Sequence, residues 1–295
     1  MPADPQPVPG RISFRERLAT SLAWTPASYA LLSSFSVIIL LVMIVWWPLV
    51  KDYLATADPR YSIWQQMDWL LVGIFAVMSL LIMSGANLKT DAWIMAVGMA
   101  GGLAIESWGT QTHLWNYYTF ERPPLWIIPA WPVANLAIDR LTRFLSIAAD
   151  YAGQSLRAVH LPGLWARLAN YRTLYWLFFP AFYVLMLVFV WPTLDKPATW
   201  LSLVASALLI IAPTDRRMAV LIFTAGSSLG YFLELWGTTR ACWTYYTFQT
   251  PPVFAVFAHG LASVAFWRAG MLVKQLIIAI FDKRPKSLVI FRNVM

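Results

Sequence analysis

Residues 106–124 read ESWGTQTHLWNYYTFERPP and residues 234–252 read ELWGTTRACWTYYTFQTPP, so 11 of 19 positions agree without a gap. The matches place a glutamate, a glycine, two consecutive tyrosines and two consecutive prolines in one register. A tryptophan-rich composition produces stray matches, but it does not align so many residue types. The chain therefore carries an internal duplication, which predicts two equivalent halves.

The composition predicts a membrane protein. Of the 295 residues, 59% are hydrophobic and 12% are charged, whereas soluble domains have about 25% charged residues. The formal net charge is +8, and the basic residues lie between apolar runs, which is the pattern that sets membrane topology. We therefore expect the lipid bilayer as a partner and no nucleic acid.

Cysteine and histidine are too rare for a cysteine-based metal site or for paired axial ligation of several haems. Cys242 is the only cysteine, which excludes an internal disulfide and a cysteine-based metal site. The three histidines, His113, His160 and His259, are scattered along the chain. We expect no metal and no cofactor.

Eight apolar segments predict transmembrane helices. Four precede mid-chain, at residues 28–49, 66–85, 91–108 and 124–146. Four follow it, at residues 173–193, 198–213, 217–236 and 252–281. The first segment is too long for a signal peptide, so we expect it to be retained. The predicted fold is all-α and embedded in the membrane, with eight spans.

Each half is predicted to be a four-helix repeat, over residues 28–150 and 172–281. The other segments are an N-terminal segment (1–27), an amphipathic connector on the inner face (151–171) and a basic tail (282–295). Four helices return the chain to the side from which it started. The two repeats are therefore expected to be parallel, about a pseudo-two-fold axis along the membrane normal.

The basic residues predict the orientation. One side of the eight-span arrangement carries 17 of the 22 Lys and Arg residues, and the other side carries Lys51, Arg60, Arg122, Lys196 and Arg240. Both termini lie on the richer side, so we expect them in the cytoplasm and the duplicated loops outside. The predicted location is the plasma (inner) membrane.

Glu106 and Glu234 are candidate catalytic residues. An ionisable side chain near the bilayer centre costs about 2.5 to 3.5 kcal/mol, so one that recurs within a span indicates function. The second half has His259 where the first half has Trp131. His259 is therefore a third candidate, and it favours the second half as the working site. An alternative stays open, in which each glutamate only hydrogen-bonds the loop that follows it.

Two glycines precede each glutamate at intervals of four residues, which places each trio on one helix face. Small residues at this spacing let membrane helices pack closely. We expect the third and seventh spans to cross through these glycines and to bring the glutamates together towards the outer leaflet. The predicted packing residues are Gly98, Gly102, Gly226 and Gly230.

Eight aromatic residues near the glutamates are candidates for substrate binding: Trp108, Trp115, Tyr117, Tyr118, Trp236, Trp243, Tyr245 and Tyr246. Aromatic faces beside a carboxylate stabilise a positive centre, such as a carbocation or a quaternary ammonium group. The same residues are also typical of the aromatic belt at a membrane interface. Both interpretations remain open.

The Glu-x-x-Gly run, the tyrosine element and the later proline and tryptophan resemble a pattern in membrane carotenoid-modifying enzymes, the carotenoid hydratase and heterodimeric-type lycopene cyclase group. The matching residues are Glu106, Gly109, Tyr117, Tyr118, Pro129 and Trp131, and then Glu234, Gly237, Tyr245 and Tyr246. The second half departs from the pattern at Phe257 and His259. The resemblance implies that one glutamate is a general acid that protonates a polyene, without a metal or redox cofactor.

Two other functions stay open. The first is a non-catalytic subunit or anchor of a larger membrane complex, which binds partner helices, a lipid or a quinone. The second is a proton-coupled transporter that uses the paired glutamates. Transporters of this kind have helices interrupted by Gly or Pro in mid-span, and we expect no such interruption here.

Overall fold

The computed structural model describes residues 14–56, 58–158 and 170–281, and it is predominantly α-helical. The first half contains α1 (Phe14–Leu22), α2 (Pro26–Val45), α3 (Trp47–Ala55), α4 (Ile63–Gln66), α5 (Trp69–Met83), α6 (Leu88–Gln111) and α7 (Ala130–Ala158). The second half contains α8 (Tyr171–Val190), α9 (Pro197–Ile211), α10 (Arg216–Thr239) and α11 (Val253–Phe281). Two short strands, β1 (Trp115–Tyr117) and β2 (Trp243–Tyr245), lie in the duplicated loops.

Each of the eight predicted spans contains a helix. Within the described ranges, five helices are long and apolar enough to cross a membrane: α2, α6, α8 with the 3₁₀ turn Trp191–Thr193, α10 and α11. Helices α5 and α9 are apolar but have 15 residues each, and α7 is amphipathic over 29 residues. The chain is therefore all-α, with helices compatible with an integral membrane protein.

Several predicted boundaries are wrong. The fourth span was expected to begin at residue 124, but α7 begins at Ala130 because Pro123 and Pro124 lie in the loop before it. The first span was expected to reach residue 49, but α2 ends at Val45.

Pro180 lies inside α8, so the expectation of no mid-span proline is wrong, although α8 remains helical on both sides of this residue.

The predicted connector begins as a continuation of α7 up to Ala158, and residues 159–169 lie outside the described residues. The predicted tail (282–295) and residues 1–13 of the N-terminal segment also lie outside them.

The core lies where α7 of the first half packs against α10 of the second half. Helices α5 and α6 pack on α7, helices α8 and α11 pack on α10, and α6 also contacts α11. Ala137, Phe179 and Ala219 have no exposed surface. The two halves are therefore joined through α6, α7, α10 and α11, the four helices that flank the duplicated loops.

The four predicted packing glycines make close contacts, but with a different helix from the one predicted. Gly98 and Gly102 face α7, and Gly226 and Gly230 face α11. A Cβ added at Gly102 would lie 2.2 Å from the Trp131 side chain. The expectation that the third and seventh spans cross through these glycines is wrong, because each glycine helix packs on the next helix of its own half.

Each duplicated loop leaves its helix through the same turn. After α6, His113 has a φ of 62°, and the Leu114 N–H donates to the Gly109 carbonyl over 3.0 Å. After α10, Ala241 has a φ of 52°, and the following N–H makes the equivalent bond over 2.9 Å. This is the Schellman cap, which satisfies the last carbonyls of a helix and turns the chain sharply.

The two loops then pair with each other. Strands β1 and β2 are antiparallel, with Trp115 opposite Tyr245 and Tyr117 opposite Trp243. Outside the strands, the Tyr118 N–H donates to the Cys242 carbonyl over 3.1 Å. The pairing holds the ends of α6 and α10 side by side and positions the aromatic side chains of both loops.

Candidate functional site

The glycine three residues after each glutamate leaves room for a tryptophan ring. A Cβ added at Gly109 would lie 1.8 Å from the Trp115 ring, and one added at Gly237 would lie 2.0 Å from the Trp243 ring. Each indole can therefore lie flat against the end of its helix. In that position its N–H points at the glutamate one turn back.

Glu106 is 4% exposed and accepts three hydrogen bonds. Its Oε1 accepts from the Tyr117 hydroxyl over 2.9 Å and from Trp131 Nε1 over 3.1 Å. Its Oε2 accepts from Trp115 Nε1 over 3.0 Å. All three donors are uncharged groups, so hydrogen bonds alone compensate for the burial of this carboxylate.

Glu234 is also 4% exposed, but its third partner is different. The Tyr245 hydroxyl donates to Oε1 over 3.0 Å, and Trp243 Nε1 donates to Oε2 over 2.9 Å. His259 Nε2 lies 3.0 Å from Oε1. An imidazole can bind and release a proton near neutral pH, whereas the indole of Trp131 cannot. The two sites therefore differ in one hydrogen-bond partner, which is an imidazole in the second site and an indole in the first.

The two sites are in direct contact. The rings of Trp131 and His259 stack with their centroids 5.6 Å apart and their planes at 19°. Across the strand pair, the rings of Trp115 and Tyr245 lie 5.7 Å apart. The structure thus brings together the groups that bind Glu106 and those that bind Glu234.

The tyrosines beside the glutamates stay protonated. Burial raises the pKa of Tyr117 and of Tyr245 well above the ordinary value, and the adjacent glutamate charge raises each pKa further. Both phenols therefore carry their proton at neutral pH. Each is available as a hydrogen-bond donor to its glutamate.

Both glutamates line a cavity of about 680 Å³, which falls within the usual size range of small-molecule sites. Its walls come from α2 and from α5 to α11, and they are largely apolar. Only Ser28 and Leu31 of α2 are buried, so this helix packs loosely along the cavity. The polar groups of Glu234 and His259 form a small part of a wall that otherwise suits a hydrocarbon chain.

Four of the eight predicted aromatic residues do not bond a glutamate. Trp236 Nε1 donates instead to Asp68 over 2.8 Å, and the Tyr246 hydroxyl donates to the Phe189 carbonyl over 2.7 Å. Tyr118 is 50% exposed. The buried Nε1 of Trp108 has no acceptor within the described part of the chain. Trp108 and Trp236 nevertheless line the cavity.

Sequence reasoning missed two features of the site. Trp131 was assigned no hydrogen bond, although its alignment with His259 marks it as the equivalent third partner of a glutamate. Asp68 was not considered, yet it caps α5 and bonds both Trp236 and Arg240 of the other half. Its position just before an apolar run is typical of a helix cap, so the cap was predictable and the contact between halves was not.

Comparison with protein-family models gives no match, and comparisons with curated proteins and with solved structures give none either. Within the described ranges, no group of three His, Cys, Asp or Glu side chains could hold a metal ion. The site places two buried carboxyl groups and one imidazole beside a largely apolar cavity.

Proposed function

We propose that the chain is an eight-span protein of the plasma (inner) membrane that performs acid–base chemistry on an isoprenoid or carotenoid lipid. The observation that carries this proposal is the Glu234–His259 pair in the wall of a largely apolar cavity. A buried proton donor beside room for a hydrocarbon chain is what protonation of an alkene requires. The resemblance to carotenoid-modifying enzymes supports the same reaction class.

The proposed topology has two parallel four-helix repeats with both termini in the cytoplasm. In support, each predicted span contains a helix, five of these helices are long and apolar enough to cross a membrane, and the short helices α5 and α9 are each the second predicted span of their half. The excess of Lys and Arg on the side of the termini supports the orientation. The duplicated loops and the glutamates then lie towards the outer face.

In the proposed reaction, protonated Glu234 gives its proton to a terminal alkene carbon of the bound chain. A C–H bond forms, and the adjacent carbon becomes a cation. Nearby aromatic faces, such as that of Trp131, stabilise the positive charge. Attack by an internal double bond followed by loss of a proton, or attack by water followed by loss of a proton, quenches the cation and returns one proton to Glu234.

His259 has a positioning role in this scheme. Its Nε2 holds Glu234 Oε1, while its Nδ1 makes no hydrogen bond within the described chain. The ring also stacks on Trp131, which fixes its plane. His259 therefore orients the carboxyl group and is available to pass a proton to it. Glu106, whose three partners are uncharged, supports the cavity wall in this scheme.

One observation favours a second candidate, a non-catalytic subunit that holds a lipid or quinone and contacts partner helices. Each carboxylate is 4% exposed and already accepts several hydrogen bonds, as a purely structural carboxylate would. In that case the glutamates fix the loops, and the cavity binds its occupant without chemistry. Pigment analysis and partner co-purification distinguish the two candidates.

The test is expression in a cell that makes a linear carotenoid, followed by chromatography of the pigments. We expect a cyclised or hydrated product that is lost in Glu234→Gln. His259→Trp recreates the partner of the first site and should reduce product by about 100-fold, the usual contribution of one acid–base group. Glu106→Gln should cause a smaller loss than Glu234→Gln.

Lys89→Gln, an exposed change outside the cavity, controls for expression. A new pigment that persists in both glutamate variants would refute the assignment of the acid. No new pigment, together with fixed partner chains in the purified protein, would favour the subunit.

A further inference from the structure

A second cavity, of about 740 Å³, lies at the opposite end of α6, α7, α10 and α11 from the duplicated loops. Helix α1 contributes to its mouth, and both halves of the chain contribute to its walls. Phe266 lines both cavities, but Glu106, Glu234 and His259 line only the one beside the duplicated loops. None of the proposed chemistry uses the second cavity.

The mouth of this cavity is basic. Arg17, Arg143 and Lys274 line it, accompanied by one acidic side chain, Asp139. Arg17 also bonds Asp150 over 3.0 Å, and Arg143 bonds Asp139 over 2.7 Å. Each guanidinium has five N–H donors, so these ion pairs leave donors free on both arginines.

The surrounding charges do not balance. The ion pairs at this end form two groups, Arg17 and Arg217 with Asp150, and Arg140 and Arg143 with Asp91 and Asp139. These pairs leave one positive charge uncompensated, and Lys274 adds a second. Lys274 is exposed and has no hydrogen bond or ion pair within the described residues. Its ammonium group is free to bind an anion at the mouth.

The interior of the cavity is apolar with a few polar groups. It is lined by Trp93, Ile94 and Val97 of α6 and by Phe266 and Trp267 of α11, two helices that pack on each other. Basic pockets between membrane helices bind the head groups of anionic lipids, and the apolar space behind such a pocket accepts a hydrocarbon chain. The basic mouth and the apolar interior together favour a lipid with a negatively charged head group.

We infer that this cavity binds one anionic phospholipid of the surrounding bilayer, with the phosphate at Arg17, Arg143 and Lys274 and an acyl chain against the apolar side chains of α6 and α11. Such a lipid would contact both halves and would stabilise their packing. The inference rests on the proposed insertion in a membrane, and it does not depend on any reaction at Glu234.

The test is native mass spectrometry of the detergent-purified full chain with added phosphatidylglycerol, phosphatidylcholine or glycerol 3-phosphate. We expect one phosphatidylglycerol per chain, retained in preference to phosphatidylcholine. Lys274→Gln should weaken its binding by about five-fold, the effect of one lysine near an anionic head group. The matched change Lys89→Gln, at an exposed lysine that does not line the cavity, should not.

A second variant tests whether an acyl chain occupies the interior of the cavity. Val97→Phe narrows the interior and should reduce phosphatidylglycerol binding, with thermal unfolding in detergent checked separately. Equal retention of phosphatidylcholine would overturn the inference, as would equal effects of the two lysine variants. Displacement of the phospholipid by glycerol 3-phosphate at similar concentration would show a free-phosphate site and would also overturn it. Loss of pigment conversion with lipid binding intact would leave the inference standing.

Discussion

Gly109 and Gly237 are required because a tryptophan ring occupies the space of their side chains. We expect Gly109→Ala and Gly237→Ala each to destabilise the protein by about 1 to 3 kcal/mol, as overpacking does. The displaced indole would also lose its hydrogen bond to the glutamate. Thermal unfolding in detergent measures the effect.

Gly73→Ala is the control, because nothing lies within 4 Å of an added Cβ there, and alanine favours a helix. Equal melting temperatures for all three variants would contradict this account.

The duplicated stretch indicated both glutamates as candidates, but it did not show which of the aromatic residues around them bond to them. Trp108 is two residues after Glu106, so it points about 200° around the helix and cannot reach the carboxylate. Tyr117 and Tyr118 are neighbours on an extended segment, so their side chains lie on opposite faces, and only Tyr117 bonds Glu106. Both distinctions follow from helix and strand periodicity. The third donor, Trp131, comes from the next helix, and only the packed structure places it.

Helices α6 and α7 are joined by a buried ion pair that the second half lacks. Arg140 donates to Asp91 over 2.7 Å, with both side chains at most 2% exposed. The position equivalent to Asp91 is Ala219, and the arginine equivalent to Arg140 is Arg268, which bonds backbone carbonyls of α9 and of the residues after it. Asp91→Ala should destabilise the protein by about 1 to 3 kcal/mol, because the buried Arg140 loses one of its two carboxylate partners and keeps only Asp139.

The double variant Asp91→Ala with Arg140→Met removes both charges and should recover part of this loss, measured by thermal or denaturant unfolding. Asp195→Asn, which breaks an exposed pair with Lys196, should have no measurable effect. A double variant as unstable as the single one would show that the charge is not the cause.

The positions of apolar helices were easier to predict than helix ends and helix partners. Each predicted segment contains a helix, but the proline pair before α7 suggested a helix start six residues too early. Glycines at four-residue spacing identified a close-packing face. The glycines did not reveal which helix packs on this face, because a surface of small residues can pack on the following helix as well as on a distant one. Gly102 and Gly230 meet Trp131 and His259, so the packing face and the site are one contact.

At the scale of the whole molecule, the sequence predicted that the two glutamates would lie close together, but it did not predict that the duplicated loops pair. Pairing of β1 with β2 joins the two halves, and the Trp131–His259 stack makes a second contact between them. The structural consequences of the differences between the halves could not be predicted from sequence alone. The roles of His259, which replaces Trp131, and of Asp68, which bonds the opposite half, depend on side chains that only the folded structure brings near them. These asymmetries are also what assign the proposed chemistry to the second half.

The proposed topology places the duplicated loops outside the cell, and the single cysteine can test this. Cys242 lies in the second loop and is partly buried. Burial raises the pKa of its thiol, and the Asp68 charge raises it further. Because the thiolate is the reactive form, a membrane-impermeant maleimide should label Cys242 in intact cells slowly at neutral pH and faster as the pH rises towards 9.

Two reporters in a Cys242→Ala background separate topology from burial. Phe248→Cys, at a position 79% exposed in the same loop, should label rapidly in intact cells at neutral pH. Lys89→Cys, exposed at the opposite end of α6, should label only after the cells are permeabilised. Gel-shift or mass measurement of the labelled chain gives the answer. The reverse pattern would place the glutamate site on the cytoplasmic side, and the charge argument for orientation would then be wrong while the site geometry would be unaffected.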